Sequence, residues 1–250
     1  MSSTIDPSEI EFFSKMAEEW WNPEGKFKPI HKWNPSRIEY IKEKIIDHYG
    51  LNASPSKPFE NLMLLDVGCG GGLLSEPMAK FGAKVTGIDA AEKNIKIASA
   101  HAIASGLEIN YRHSTAEQLL KELRTENDIG FDIILNMEVI EHVSDLNLFI
   151  ESCAMLLKKD GMMIFSTLNR TAVSYCLAIV GAEYILGWLP KGTHDWKKFV
   201  TPSELKISFR SNDLKIEELH GMKYSPIFDS WSLSEDTNVN YIGKALKINF

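Results

Sequence analysis

The chain has 250 residues, with 27 Lys and Arg against 34 Asp and Glu for a net charge of −7, and 44% of its residues are hydrophobic. These values describe an ordinary folded chain of one large or two small domains and exclude a fibrous or low-complexity protein. The acidic balance argues against general nucleic-acid binding. The three cysteines (Cys69, Cys153, Cys176) form no C-x-x-C, so neither a disulfide framework nor a zinc cage is expected, and reducing cytosol fits. The first 13 residues have neither the apolar run of a secretory signal nor the Arg-rich pattern of a transit peptide.

In chain order, Pro7-Ser8-Glu9 opens a helix with Ile10, Phe13, Ala17 and Trp20/Trp21 at helical spacing, and Pro23-Glu24-Gly25 stops it. A second helix is predicted from Asn34, as N-cap ahead of Pro35, to Tyr49, with Ile38, Ile41 and Ile45 on its apolar face. Gly50 and the segment 54–58 read as a linker, dividing a helical cover (1–57) from the main domain (58–250). Strand and helix then alternate. Strands are expected at Leu62–Val67, Lys84–Ile88, Ile109–Arg112, Phe131–Asn136 and Met162–Thr167, and helices at Leu73–Phe81, Glu92–Ala104, Ala116–Leu123 and Leu146–Leu157. One more helix (Pro202–Phe209) and two late strands (Ile216–His220, Tyr241–Lys247) follow. Repeated βα units predict an α/β fold: a seven-stranded, mostly parallel sheet with helices on both faces.

The strongest signal is Asp66-Val67-Gly68-Cys69-Gly70-Gly71-Gly72-Leu73 between a strand and a helix, with Asp89 ending the next strand 21 residues after Gly68. Glycines let the backbone approach a ligand, and a carboxylate at Asp89 can accept both hydroxyls of a ribose. Counted from Gly68, the third position of the dinucleotide fingerprint is Leu73, which is too large for the close helix packing required there. No G-K-[S/T] follows, which excludes a P-loop. Asp66 puts negative charge near the ligand, which suits the sulfonium and ammonium of S-adenosylmethionine better than a pyrophosphate.

Glu138, Glu141 and His142 follow the fourth strand in N-M-E-V-I-E-H. Their spacings of three and four put them on one side if that turn is helical. Two uses of the group stay open: His142 as a general base oriented by a carboxylate, or all three as ligands of a divalent ion. A magnesium ion prefers oxygen ligands, so His142 would be unusual in such a set. His101 reads as a helix-surface residue, and His194 as either part of a lid or structural. The stretch Ala172 to Leu189 is 18 residues long with the single charge Glu183. Its two glycines and its position directly after a strand argue against a span, leaving a core or lid helix or a lid that touches the bilayer. Arg170, Lys191, Lys197 and Lys198 flank it, and Tyr184 and Trp188 suit a headgroup boundary.

On these residues the chain resembles the class I S-adenosylmethionine-dependent methyltransferases, whose fold is Rossmann-like. It is more specifically similar to the ubiquinone-biosynthesis O-methyltransferases. The resemblance spans nearly the whole chain: Trp20-Trp21 with Gly25–Pro29, Asn34-Pro35-Ser36-Arg37, the segment 64–76, Asn136–Val143, Ser166–Arg170, the segment 180–199 and Val239-Asn240-Tyr241. It implies that Arg37, Gly68, Asp89 and Met137 contact S-adenosylmethionine. It implies a magnesium site at Glu138, Glu141 and His142, and catalytic roles for the same three. It implies both O-methylation steps of the pathway, on 2-polyprenyl-6-hydroxyphenol and 3-demethylubiquinol. A lid at about 170–200 and peripheral contact with the inner face of the cytoplasmic membrane follow from so apolar an acceptor. Other ubiquinone-pathway proteins are further partners the resemblance admits. An unrelated phenolic acceptor, or a non-catalytic assembly role at the membrane, are the alternatives.

Overall fold

The computed structural model describes residues 4–54, 56–126, 130–177, 179, 195–225 and 229–248. Helix α1 (Pro7–Met16) starts at Asp6, whose side chain accepts the Ser8 amide, and a 3-10 turn (Ala17–Glu19) extends it. Helix α2 (Lys28–Tyr49) begins six residues before the predicted start, with Pro35 inside it. Asn34 is therefore not its cap; its amide nitrogen donates to the Leu73 carbonyl, tying α2 to the glycine loop. The proline forfeits one helical hydrogen bond. The buried face of Trp33, Arg37, Tyr40, Ile41 and Ile45 offsets that loss, since each large apolar side chain contributes about 1.5–3 kcal/mol. Gly50 closes the helix in the left-handed region at φ 61°.

The core alternates as predicted: β1 (Met63–Val67), α3 (Ser75–Lys80), β2 (Lys84–Asp89), α4 (Glu92–Ala104), β3 (Asn110–His113), α5 (Ala116–Glu126), β4 (Phe131–Met137), α6 (Leu146–Leu156) and β5 (Leu157–Leu168). A short helix α7 (Ala172–Ser174), α8 (Pro202–Ser211), β6 (Leu214–Ser225), β7 (Ser230–Ser234) and β8 (Asn240–Lys247) follow. The described strands form one sheet in the order β3-β2-β1-β4-β5-β8-β6-β7. Pairing is parallel from β3 through β5 and antiparallel across β8, β6 and β7. Seven strands fall where the sequence predicts them. The eighth, β7, is short and alternates serine with Trp231 and Leu233, too little apolar surface to stand out.

Neighbouring residues along each strand serve opposite faces, as the period of two requires. Leu65, Ile134, Met163 and Phe165 pack beneath α6 and α8, while Leu64, Ile133, Leu135 and Ile164 pack against Tyr40, Ile41 and Ile45 of α2. The second helix thus shares the sheet's own core. Strand order reverses between β1 and β4, so the carboxyl ends of β1, β2 and β4 splay around a crevice, the usual ligand position in open α/β sheets.

Candidate active site

A cleft of about 680 Å³ opens at those strand ends. Arg37, Gly68, Asp89, Met137, Glu138 and His142 all line it. Glu141 does not.

The glycine loop forms one wall. Gly68 and Gly70 have φ of +67° and +54°, which side chains rarely adopt. A Cβ on Gly68 would lie 2.5 Å from the Val139 side chain, and one on Gly70 would lie 2.5 Å from Trp20. The loop is held by the carboxylate that ends β2. Asp89 accepts the Gly70 amide at 2.9 Å, the Ala91 amide at 2.8 Å and the Asn94 side chain at 3.2 Å. Burial raises its pKa, and these bonds oppose the rise. A carboxylate already fixed by three donors keeps further lone pairs for vicinal hydroxyls.

Asp66 and Arg37 supply opposite charges. Asp66 is buried, takes a 2.6 Å hydrogen bond from Ser75, and is pushed up to about 6 by burial, against the pull of Ser75 and Arg37. Arg37 is 3% exposed and its Nε has no hydrogen-bond partner. Its guanidinium lies 5.2 Å from the Trp33 ring centroid, and burial lowers its pKa against the fields of Glu138, Asp66 and Glu141. A buried donor left unsatisfied is costly, so this one suits a carboxylate ligand. Orphan cation, buried acid and side-chain-free loop together fit a zwitterionic amino-acid tail joined to a nucleoside, which is the shape of S-adenosylmethionine.

Sequence reasoning gave no site role to the aromatic cover. Trp20 stacks on Phe27 with ring centroids 3.8 Å apart and donates to Asn94 at 2.9 Å. Trp21 donates to the Gly71 carbonyl at 2.8 Å and stacks on His101, which hydrogen-bonds buried Glu76. His101 is thus a docking point for the cover rather than a bare surface residue.

The segment after β4 departs from the helical premise. Glu138 has φ +59°, and only Ile140–His142 form a turn, of 3-10 type. The kink still leaves Glu138 and Glu141 side by side, but it turns His142 away toward α1. Glu138 accepts from Ser166 at 2.5 Å. Glu141 is 2% exposed and accepts from Thr167 at 2.7 Å. Burial and the charge of Glu138 push its pKa well above the ordinary range. His142 turns to Glu9, with Nδ1 3.0 Å from its carboxylate. Among the described residues no three His, Cys, Asp or Glu side chains gather as a metal site. Of the expected magnesium triad, Glu138 and Glu141 lie close enough to share a hydrogen bond, while His142 turns to Glu9.

The apolar stretch 172–189 is described only at 172–177 and 179; Glu183, Tyr184, Trp188, Lys191 and His194 lie outside the described residues. Of its basic flanks, Arg170 pairs with Glu204, and Lys198 pairs with Asp6 and Glu9 at 2.8 Å each. Among the described residues no helix is long and apolar enough to cross a membrane.

Fold and cleft together define a methyltransferase of the Rossmann-like class. Residues 38–219 match a family described as a methyltransferase domain. Magnesium protoporphyrin IX methyltransferase from Synechocystis PCC 6803, solved with bound SAH, shares the fold with a TM-score of 0.66 at 18% identity, over 96% of this chain and 98% of that one. Among curated proteins, the ubiquinone biosynthesis O-methyltransferase of Parvibaculum lavamentivorans is 54% identical over 97% of this chain and 94% of its own length. That of Pelagibacter ubique is 53% identical over 98% and 99%. The chain belongs to the ubiquinone biosynthesis O-methyltransferases.

Proposed function

We propose that the chain methylates a phenolic hydroxyl of polyprenylated benzene diols at both O-methylation steps, on 2-polyprenyl-6-hydroxyphenol and 3-demethylubiquinol. The observation that carries this reading is the single cleft that combines Arg37, Asp66, Gly68 and Asp89 with Glu138 and His142. S-Adenosylmethionine, when bound, supplies an activated sulfonium methyl. Arg37 would take its carboxylate, Asp66 its ammonium and Asp89 its ribose hydroxyls, while Gly68 and Met137 let it lie against the strand ends. A phenol, with a pKa near 10, is mostly protonated at neutral pH. His142 accepts that proton as the oxygen forms its bond to the methyl carbon and the carbon–sulfur bond breaks. Glu138 sits in the same cleft directly after β4, and Glu141 couples to it from the core.

On this reading, residues 1–57 are the cover and 58–250 the catalytic domain, with the lid insertion at about 170–200. The acceptor's chain dissolves in lipid, so contact with the inner face of the cytoplasmic membrane through 172–189 belongs to the same proposal. Val173, Tyr175 and Leu177 support it, at 46%, 47% and 56% exposed, with Lys197 exposed nearby. Flotation with anionic vesicles tests that part. For the chemistry, purified protein is assayed on both prenylated diols and on water-soluble phenols. Methylation of the soluble phenols alone would replace the acceptor class. Turnover lost in EDTA and restored by magnesium would move phenol activation from His142 to an ion.

A further inference from the structure

The N-terminal cover reaches the cofactor end of the cleft through the indole of Trp20. That ring lies flat on Phe27, with centroids 3.8 Å apart and planes 5° from parallel, and the Trp20 carbonyl accepts from His31 Nε2 at 2.8 Å. The residue covers the glycine loop so closely that a Cβ on Gly71 would lie 2.4 Å from the Cβ of Trp20. From this seat Trp20 Nε1 donates to Asn94 Oδ1 at 2.9 Å, across 74 positions of chain. Asn94 stands in the first turn of α4, is 2% exposed, and donates through Nδ2 to Asp89 Oδ1 at 3.2 Å. Asp89 also accepts the Ala91 amide on Oδ1 and the Gly70 amide on Oδ2, so both of its oxygens are set as acceptors. The direction of the relay is forced. An indole N–H can only donate and a carboxylate can only accept. The carboxamide between them satisfies both in one orientation alone, with its oxygen toward Trp20 and its nitrogen toward Asp89.

We propose that Trp20 is a positioning residue for Asp89, acting through the Asn94 carboxamide. The indole N–H holds the amide oxygen, which turns the amide nitrogen to the carboxylate and steadies Asp89 for the vicinal hydroxyls of the cofactor's ribose. Without that N–H the carboxamide has no reason to keep its orientation. Its flipped form sets oxygen against oxygen and takes a donor away from Asp89. Asn94 is buried, so a lost partner there is not simply replaced by solvent. Cofactor affinity therefore depends on a residue of the helical cover that precedes α2. Trp21 provides the contrast: its indole N–H goes to the Gly71 carbonyl at 2.8 Å, a bond between cover and loop that involves no carboxamide. The assignment rests on the reading of Asp89 as the ribose acceptor.

The test is a double-mutant cycle in the full chain, read by isothermal titration with S-adenosylmethionine. Trp20→Phe keeps an aromatic ring on Phe27 and removes the N–H. It should raise the cofactor Kd roughly 3- to 10-fold, the net worth of one hydrogen bond, and Asn94→Ala should raise it at least as much. In the Asn94→Ala background, Trp20→Phe should add less than about twofold, because the bond it removes is already gone. Trp21→Phe, by contrast, should change Kd by the same factor in both backgrounds. In Trp20→Phe the cofactor KM should rise with Kd, while kcat at saturating cofactor stays within about twofold. An equal loss from Trp20→Phe in both backgrounds would mean that the ring acts by packing alone, and it overturns the proposal. Wild-type Kd in either single variant overturns it too. The bond itself is read from the Trp20 indole 1H–15N signal, assigned by its absence in Trp20→Phe. Its exchange with solvent should quicken in Asn94→Ala; unchanged exchange there overturns the proposal without reference to the cofactor. Wild-type Kd in Asp89→Ala would instead remove the ribose reading, while the indole signal still decides whether Trp20 holds Asn94.

Discussion

Around Asp89 every hydrogen-bond donor comes from nearby in the chain: Gly70 lies 19 positions away, Ala91 two and Asn94 five. Around His142 the partners include Glu9 and Phe13 from one end of the chain and, through Glu9, Lys198, which is 189 positions from Glu9. The ribose end of the cofactor pocket is thus a local device of one strand–loop–helix–strand unit, cheap in loop-closure entropy, while Arg37 and Trp20 reach it from the N-terminal helices. The reacting end exists only when three distant segments are docked. The difference teaches that binding and turnover depend on separable parts of the fold. A chain disturbed in α1 alone should hold the ribose end of its pocket longer than its contact at His142.

The sharpest way to break this contrast is His142→Ala. Turnover should fall about 10²- to 10⁴-fold in a single-turnover methyl-transfer assay. Cofactor Kd should move less than about twofold; an equal loss in both would show that the two ends are one unit. Next in size is Asp89→Ala. Removing an acceptor of charge-assisted bonds costs about 1.5–3 kcal/mol, or roughly 10- to 100-fold in cofactor affinity by isothermal titration. Wild-type affinity in that variant would sink the ribose assignment.

A smaller effect is expected from pH. Burial places Asp66 at about 6, above the ordinary carboxylate value. Below that pH the group is neutral and cannot pair with an ammonium; above it the carboxylate is available. Cofactor affinity should therefore fall as pH drops through about 6, by at most about tenfold per unit. In Asp66→Asn that slope should vanish. The smallest effect lies outside the cleft. Thr201 caps α8, accepting the Glu204 amide while Glu204 accepts the Thr201 amide. Thr201→Ala should cost about 1 kcal/mol in a denaturant titration and leave cofactor affinity unchanged.

Much of this molecule is local and so was legible in residue order. The βα alternation, the period of two along each strand, the loop at Gly68 and the carboxylate at Asp89 depend on neighbours only a few positions away. Arg37 and Met137 came through resemblance, and the fold places both in the cleft. Pro35 misled the reading of α2, because tertiary packing of Tyr40, Ile41 and Ile45 outweighs one lost helical bond. The helical premise for the reacting centre did not hold, because Glu138 stands at φ +59° and His142 turns to Glu9, 133 positions away.

The sequence by itself determined the sheet, the glycine loop and the chemistry of a cationic nucleoside ligand, since those are set by backbone freedom and short-range pattern. Only the tertiary structure decided which carboxylate meets His142, which acid is buried on Thr167, and that Trp20 covers the loop. Each of these contacts joins residues at least 26 positions apart, and nothing in the order of residues encodes such a meeting until the hydrophobic faces of α1, α2 and the sheet have packed.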